Sequence, residues 1–211
     1  MIEPDGLNLL RLLKSNRGWQ EGSLCLPVGK PVVALLRPIV TKGDALSDQD
    51  LDNLSEWRNR FVKSFLTEFD ATREQTRRWL VNSVDADLGK ILFMLEDLNG
   101  NSIGHLGLGF INWDAKYGEA DAIVRGNPAP KGLMKEALQT LIKWAKSELG
   151  LEEVCVRVRS DNTAIDFYRK SGFVEYKRVS IMASQVDSTL IWSEREGHIA
   201  PFLVYMRYAH A

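Results

Sequence analysis

The sequence predicts a mixed α/β (α+β) domain, and three observations carry that expectation. Short apolar runs bounded by turn residues alternate with stretches of helical spacing. Asn99-Gly100 joins two such runs, the strongest short hairpin signal available. Gly132 to Leu149 carries Met134, Leu138, Leu141, Ile142 and Ala145 at helical intervals, with Lys135, Gln139, Lys143 and Lys146 elsewhere. The 211 residues are 45% hydrophobic and 26% charged, which excludes a disordered, collagen-like or disulfide-scaffold chain. With 27 Lys+Arg against 28 Asp+Glu the net charge is −1, so no basic excess points to nucleic acid.

Taken in order, the first 30 residues stand apart as a helical appendage, residues 1–30, ahead of a main domain, 31–211. Leu7, Leu9, Leu10, Leu12 and Leu13, with Arg11, Lys14 and Arg17 interspersed, predict a short amphipathic helix with Asp5 as a possible cap. It would lie against the core, or serve as a dimer contact or substrate cover. Gly18, Gly22, Pro27 and Gly29 make the connection loop-like. Val32 to Arg37 is an expected strand. Ser47 opens a helix through Leu51, Leu54 and Trp57, and Thr72-Arg-Glu-Gln75 forms a capping box before a helix carrying Trp79 and Leu80. Strands follow at Ile91–Leu95, Ile103–Phe110 and Tyr117–Val124. After the long helix, Val154–Val158 is a buried strand and Asn162–Lys170 a helix, closed by Gly172 in a left-handed cap. Phe173 onward and Phe202–Tyr208 are strands again, giving the order βααβββαβαββ.

The best apolar run, Pro31 to Leu36, stops at Arg37, short of the roughly 20 residues of a membrane span. Met1-Ile-Glu-Pro-Asp lacks a cationic secretory start. Cys25 and Cys155 have no metal-ligand spacing, and a cytoplasmic location without membrane partner is the expectation.

Two segments offer chemistry. The first, Val124-Arg-Gly-Asn-Pro-Ala-Pro-Lys-Gly-Leu-Met134, brings Arg125, Gly126, Lys131 and Gly132 to the N-terminus of the best helix. Unpaired N–H groups and the helix dipole suit such an entrance to phosphate, although a Gly/Pro-rich connection can equally be a plain loop. The second is Asn162-Thr-Ala-Ile-Asp-Phe-Tyr168-Arg-Lys-Ser-Gly172-Phe173, in which Asn162 can be a helix cap and Tyr168 a core residue.

Together these segments resemble the GNAT acyltransferase superfamily, over roughly Val32 to Tyr208. The resemblance implies a central mixed, mostly antiparallel sheet flanked by helices, with acetyl-coenzyme A or another acyl-coenzyme A as co-substrate and no metal. It places the pyrophosphate on Ile123, Val124, Arg125, Gly126, Lys131, Gly132, Leu133 and Met134, the pantetheine arm along Asn162, and Tyr168 near the thioester sulfur. The loop departs from the family spacing: it is longer, has two prolines, and carries Met134 where a third small residue belongs.

Leu54-Ser-Glu-Trp57-Arg58-Asn59 and Thr72 to Leu80 are similar to the branch with sugar-nucleotide amine acetyltransferases of pseudaminic acid biosynthesis. That similarity implies Trp57, Arg58, Asn59 and Arg77 at the acceptor and a nucleotide-linked amino sugar as the amine. Protein N-terminal or lysine acetylation, or a non-catalytic acyl-coenzyme A module, are the alternatives. The partner is a small molecule, not nucleic acid, and the chain a monomer or homodimer.

Acyl transfer to an amine needs a base for the ammonium proton, a donor to the carbonyl oxygen and a donor to the leaving thiolate. Glu119 and Asp121 alternate on one strand and so share a sheet face, making them base candidates, with His105 a third. Backbone N–H groups near Ile123 to Arg125 would polarise the thioester carbonyl. Tyr168 would protonate the thiolate.

Overall fold

The computed structural model describes residues 5–15 and 24–209; the connection expected through Gly18 and Gly22 lies outside them. Helix α1 (Asp5–Ser15) has Asp5 in its first turn and lays Leu10 and Leu13 into the main core. Lys14, 3% exposed, donates its ammonium to the carbonyls of Val84 (2.7 Å) and Asp87 (2.6 Å), where the chain leaves a π-helical segment (Leu80–Asp85). Burial lowers the pKa of this amine, against the pull of Asp85 and Asp87.

The strands are β1 (Leu26–Val28), β2 (Ala34–Pro38), β3 (Thr67–Glu68), β4 (Ile91–Asp97), β5 (Ser102–Asn112), β6 (Tyr117–Arg125), β7 (Glu153–Arg159), β8 (Phe173–Val186), β9 (Thr189–Glu194) and β10 (Phe202–Tyr208). They form one sheet in the order β1-β2-β4-β5-β6-β7-β10-β8-β9-β3. Among the described residues only β6 and β7 are parallel neighbours. The helices are α2 (Asp48–Arg60), α3 (Arg73–Trp79), α4 (Leu133–Glu148) and α5 (Ala164–Ser171).

The caps form as their residues dictate. The Ser47 side chain accepts from the Asp50 amide, Thr72 and Gln75 close a reciprocal capping box, and Gly172 takes φ 104° at the end of α5. Asp97 gathers the amides of Asn99 and Asn101, so the β4–β5 hairpin turns on five residues with Gly100 left-handed. Two expectations need correction. The strand expected from Val32 begins at Ala34, since Val32 and Val33 lie exposed in a turn. The expected order also lacks β1, β3 and β9, which are short or at the sheet's ends and owe their pairing to a neighbour rather than to an apolar run.

Two cores sandwich the first half of the sheet. The larger unites α1, α4 and α5 with one face; the smaller packs Leu51, Leu54 and Trp57 of α2 and Leu80 and Val84 against Leu92, Met94 and Val124 on the other. Arg37, 6% exposed, fastens α2 to β2 through both carboxylate oxygens of Asp50 (3.0 and 2.8 Å) and through Glu96 (2.9 Å).

Candidate active site

β6 and β7 pair for three residues only, Tyr117 with Glu153, Gly118 with Val154 and Glu119 with Cys155. Beyond Glu119 the strands part. β6 stays on β5, whose register slips between His105 and Gly107, and Ala122 there adopts φ 51°. Such a bulge bends its strand, while β7 remains straight on β10. A wedge-shaped opening is therefore built into the centre of the sheet, and α4 and α5 start at its wide end.

On the face away from α4, the opening is bordered by the side chains of alternate residues. Val154, Val156 and Val158 point into the main core, so Arg157 and Arg159 point the other way, as do Glu119 and Asp121. Glu119, 7% exposed, accepts from the Tyr117 hydroxyl (2.6 Å) and from Arg157 Nε (2.6 Å). Burial works against the Arg157 cation, and Glu119 more than offsets it. Asp121 is more open: Oδ1 accepts from the Ala122 amide (2.8 Å) and Oδ2 lies 3.3 Å from the Lys90 ammonium.

His105 shares this side of the sheet but sits inside the smaller core, its ring parallel to Trp57 at 6.0 Å. Burial, only partly opposed by a hydrogen bond at Ala122 and by Asp121, brings its pKa down to about 4, and Nδ1 is buried without a partner among the described residues.

Tyr168 lies on α5 with its ring against Phe167 and Phe173. Its hydroxyl makes no hydrogen bond among the described residues. Burial, and then the Asp121 carboxylate, raise its pKa well above the ordinary phenol, so it is a protonated donor throughout the working range.

At the wide end the loop residues divide by role. Val124 and Leu133 are buried in the cores, leaving only their backbone for a ligand, while Ile123 and Met134 pack against the larger core and stay partly exposed. Gly126 is tight for a structural reason, since a Cβ there would overlap the Trp57 ring, and Arg60 donates to its carbonyl. The amides of Gly126 and Asn127 both donate to the Ile103 carbonyl (3.0 and 2.8 Å). What faces outward is the first turn of α4. Gly132 at its N-cap has φ 95°, a value few residues but glycine take, with open space where a Cβ would be and no side-chain cap. The Leu133 amide donates to the Pro130 carbonyl (3.2 Å), the next two N–H groups of the turn have no intrahelical acceptors, and the exposed Arg125 and Lys131 flank it. That donor set fits a pyrophosphate.

Asn162 fits less directly. Its Oδ1 accepts from the Ala164 amide (2.9 Å), and its Nδ2 donates to the Ser64 carbonyl (3.2 Å). The residues expected at the acceptor are also engaged. Trp57 is fully buried. Arg58 lies between Phe65 (4.5 Å) and Phe69 (4.2 Å), donates to the Thr67 carbonyl (2.6 Å), and is desolvated enough to lower its pKa. Asn59 exchanges hydrogen bonds with the Ala71 backbone (2.9 and 2.6 Å). Arg77 is partly exposed beside Asp48 and Glu74. Together they fold the α2–α3 connection onto the sheet edge. There Glu68 takes Arg159 (2.7 Å) and the Trp192 indole N–H (2.7 Å); the hydrogen bond from Trp192 leads in lowering its pKa.

Sequence reasoning passed over Arg157, Tyr117, Lys90 and Phe110. Arg157 carried a signal, a cation alternating with valines in a strand otherwise fit for burial.

A sheet parted between two parallel strands, with a helix N-terminus at the wide end and, on the helix after β7, a phenol without a hydrogen bond among the described residues, fits an acyl-coenzyme A-dependent acyltransferase. The family model for the acetyltransferase (GNAT) domain matches residues 44–174. The chain belongs to that family, and is an N-acetyltransferase with acetyl-coenzyme A as co-substrate. Among solved structures it is similar to spermidine N-acetyltransferase from Vibrio cholerae in complex with CoA and spermine, at 19% identity and TM-score 0.63, covering 82% of this chain and 94% of that one. A point mutant of the Vibrio cholerae spermidine enzyme gives 20% identity, TM-score 0.59, and 82% and 92% coverage. The spermidine/spermine enzyme from Vibrio cholerae in complex with manganese ions gives 19%, 0.58, and 83% and 91%. At these identities the likeness is one of fold. No curated protein matches. Among the described residues no group of side chains suited to a metal ion occurs, and no helix is long and apolar enough to cross a membrane.

Proposed function

We propose that this chain acetylates the amine of a small molecule by direct attack within a ternary complex. The carrying observation is the parting of β6 from β7 after Glu119, with the partly exposed Asp121 carboxylate on β6 beyond it and, on the helix that follows β7, Tyr168, whose hydroxyl makes no hydrogen bond among the described residues. Acetyl-coenzyme A supplies an acetyl thioester; the C–N bond forms as the C–S bond breaks, leaving one proton to remove from nitrogen and one to supply to sulfur. Asp121 accepts the first, directly or through a water, and Tyr168 donates the second. The first turn of α4, with Arg125, Lys131 and Gly132, holds the pyrophosphate. Asn162 orders the α5 entrance along which the pantetheine arm runs.

Of the three base candidates, Asp121 is favoured by position. Glu119 is buried and ion-paired to Arg157 and His105 is buried beneath Trp57, whereas Asp121, beside Lys90, is the more exposed. The arginines expected to meet a nucleotide phosphate are engaged with aromatic rings or carboxylates, which favours a small amine over a nucleotide-linked amino sugar. Replacement of both candidate carboxylates tests this reading. Asp121→Asn is expected to lower kcat about 10²-fold with coenzyme A affinity retained and a residual rate that climbs with pH as free amine accumulates. Glu119→Gln strands the half-buried Arg157 charge, so its main effect is on stability, about 3 kcal/mol. A rate loss confined to Glu119→Gln would transfer the proton-accepting role to Glu119.

A further inference from the structure

Phe110 is an exposed aromatic in a backbone conformation that bulky residues avoid. It has φ 53° at the register slip between Gly109 and Asn112, and is 58% exposed. Strain of this kind persists where surrounding structure imposes it, and it clusters at ligand sites. The slip turns the ring over β6 so that one face lies on the Arg157 guanidinium, 4.3 Å from its centroid, while the remainder is uncovered. Gly109, its predecessor, pairs with Glu119, two residues along β6 from Asp121, a separation of roughly 7 Å.

The Glu119 charge beneath the ring is matched internally. Glu119 is held by Arg157 and Tyr117, and Tyr205 joins Arg157 to Glu194. The Arg157 charge beneath the ring also opposes another cation on its open face, where cation–π attraction would otherwise act.

Resting on the acetyltransferase reading above, we propose that Phe110 selects the acceptor. It takes an amine borne on an uncharged apolar stem, with the nitrogen at Asp121 and an aryl or alkyl group about two carbons away on the exposed ring. The tests are acetyl-coenzyme A-dependent thiol release from 2-phenylethylamine, spermidine and a nucleotide-linked amino sugar, and the variants Phe110→Gly and Phe110→Leu. 2-Phenylethylamine is expected to give the highest kcat/KM. Phe110→Gly removes the ring and relieves the backbone, so it should lower that value about tenfold through KM at unchanged or higher Tm, with Phe110→Leu intermediate. Higher kcat/KM for spermidine or the nucleotide sugar overturns the proposal, as does a Phe110→Gly enzyme unchanged toward 2-phenylethylamine, including one altered only in sedimentation. Acetyl-coenzyme A binding with none of the three amines acetylated also overturns it and leaves the donor site standing. Loss of acetyl-coenzyme A binding in the unmodified protein overturns both readings.

Discussion

The two halves of the sheet are built to different rules. Across β2, β4 and β5 both faces are covered, by α2 and the π-helical segment on one side and by α1 and α4 on the other. Across β7, β10 and β8 one face joins the main core, and the other carries Arg157, Tyr205 and Tyr176 in the open. The covered half converts its side chains into stability, while the open half keeps polar groups accessible to a reactant. The wedge between β6 and β7 is the seam where one regime gives way to the other. A residue's side of that seam should decide whether its loss is felt in rate or in folding.

The hardest test of that division is Tyr168, which is buried yet assigned to chemistry. Tyr168→Phe keeps the ring against Phe167 and Phe173 and deletes only the hydroxyl. It is expected to lower kcat about 10²–10⁴-fold, with Tm and donor affinity nearly unchanged. A fall under about threefold would return Tyr168 to the covered half as a packing residue.

A smaller effect is expected at the mouth of the wedge. Gly132→Asp sets a carboxylate where the pyrophosphate belongs but also strains φ 95°, so Gly132→Asn, which tolerates that conformation, separates the two. Calorimetry should show coenzyme A binding weakened at least about tenfold by Asp, and much less by Asn. Equal weakening by both would attribute the loss to backbone geometry rather than to phosphate.

Least in size, and confined to stability, is the effect of His105. Its folded pKa of about 4 lies below the ordinary imidazole value, so the unfolded chain binds a proton first as pH falls. Stability is therefore full above about pH 6.5 and declines toward pH 4, by about 3 kcal/mol. Urea midpoints across that interval should slope for the parent and flatten for His105→Phe. A slope that survives the substitution would place the titration elsewhere.

Helix positions were legible wherever a cap and a periodic face coincide, as at Ser47, Thr72 and Gly172. The hairpin at Asn99-Gly100 was legible for the same reason, because its chemistry is local. Less legible was anything decided by a partner strand. The left-handed backbone of Phe110 and Ala122 arises from register slips along β5 and β6, and neither residue type advertises it. Gly126 was expected at the pyrophosphate, and the Trp57 ring packed against it is a further reason, not visible in the sequence, for its lack of a side chain. Arg58 and Asn59 looked like acceptor ligands because a polar helix end cannot disclose that the following chain folds back over it.

That returning chain ends in the clasp of Thr67 and Glu68 on Ile191 and Leu190, fastened by the Trp192 indole to a carboxylate 124 positions earlier. So short a ladder across so great a sequence distance closes late in folding and is poorly rewarded for its loop entropy. Hydrogen exchange there should be fast compared with β5 or β10, since the ladder is two residues long and only half-buried. A rim that opens at low energy tolerates insertions and exchanged residues without disturbing the parted strands beneath, so new acceptors can be accommodated while the apparatus for the common donor stays as it was.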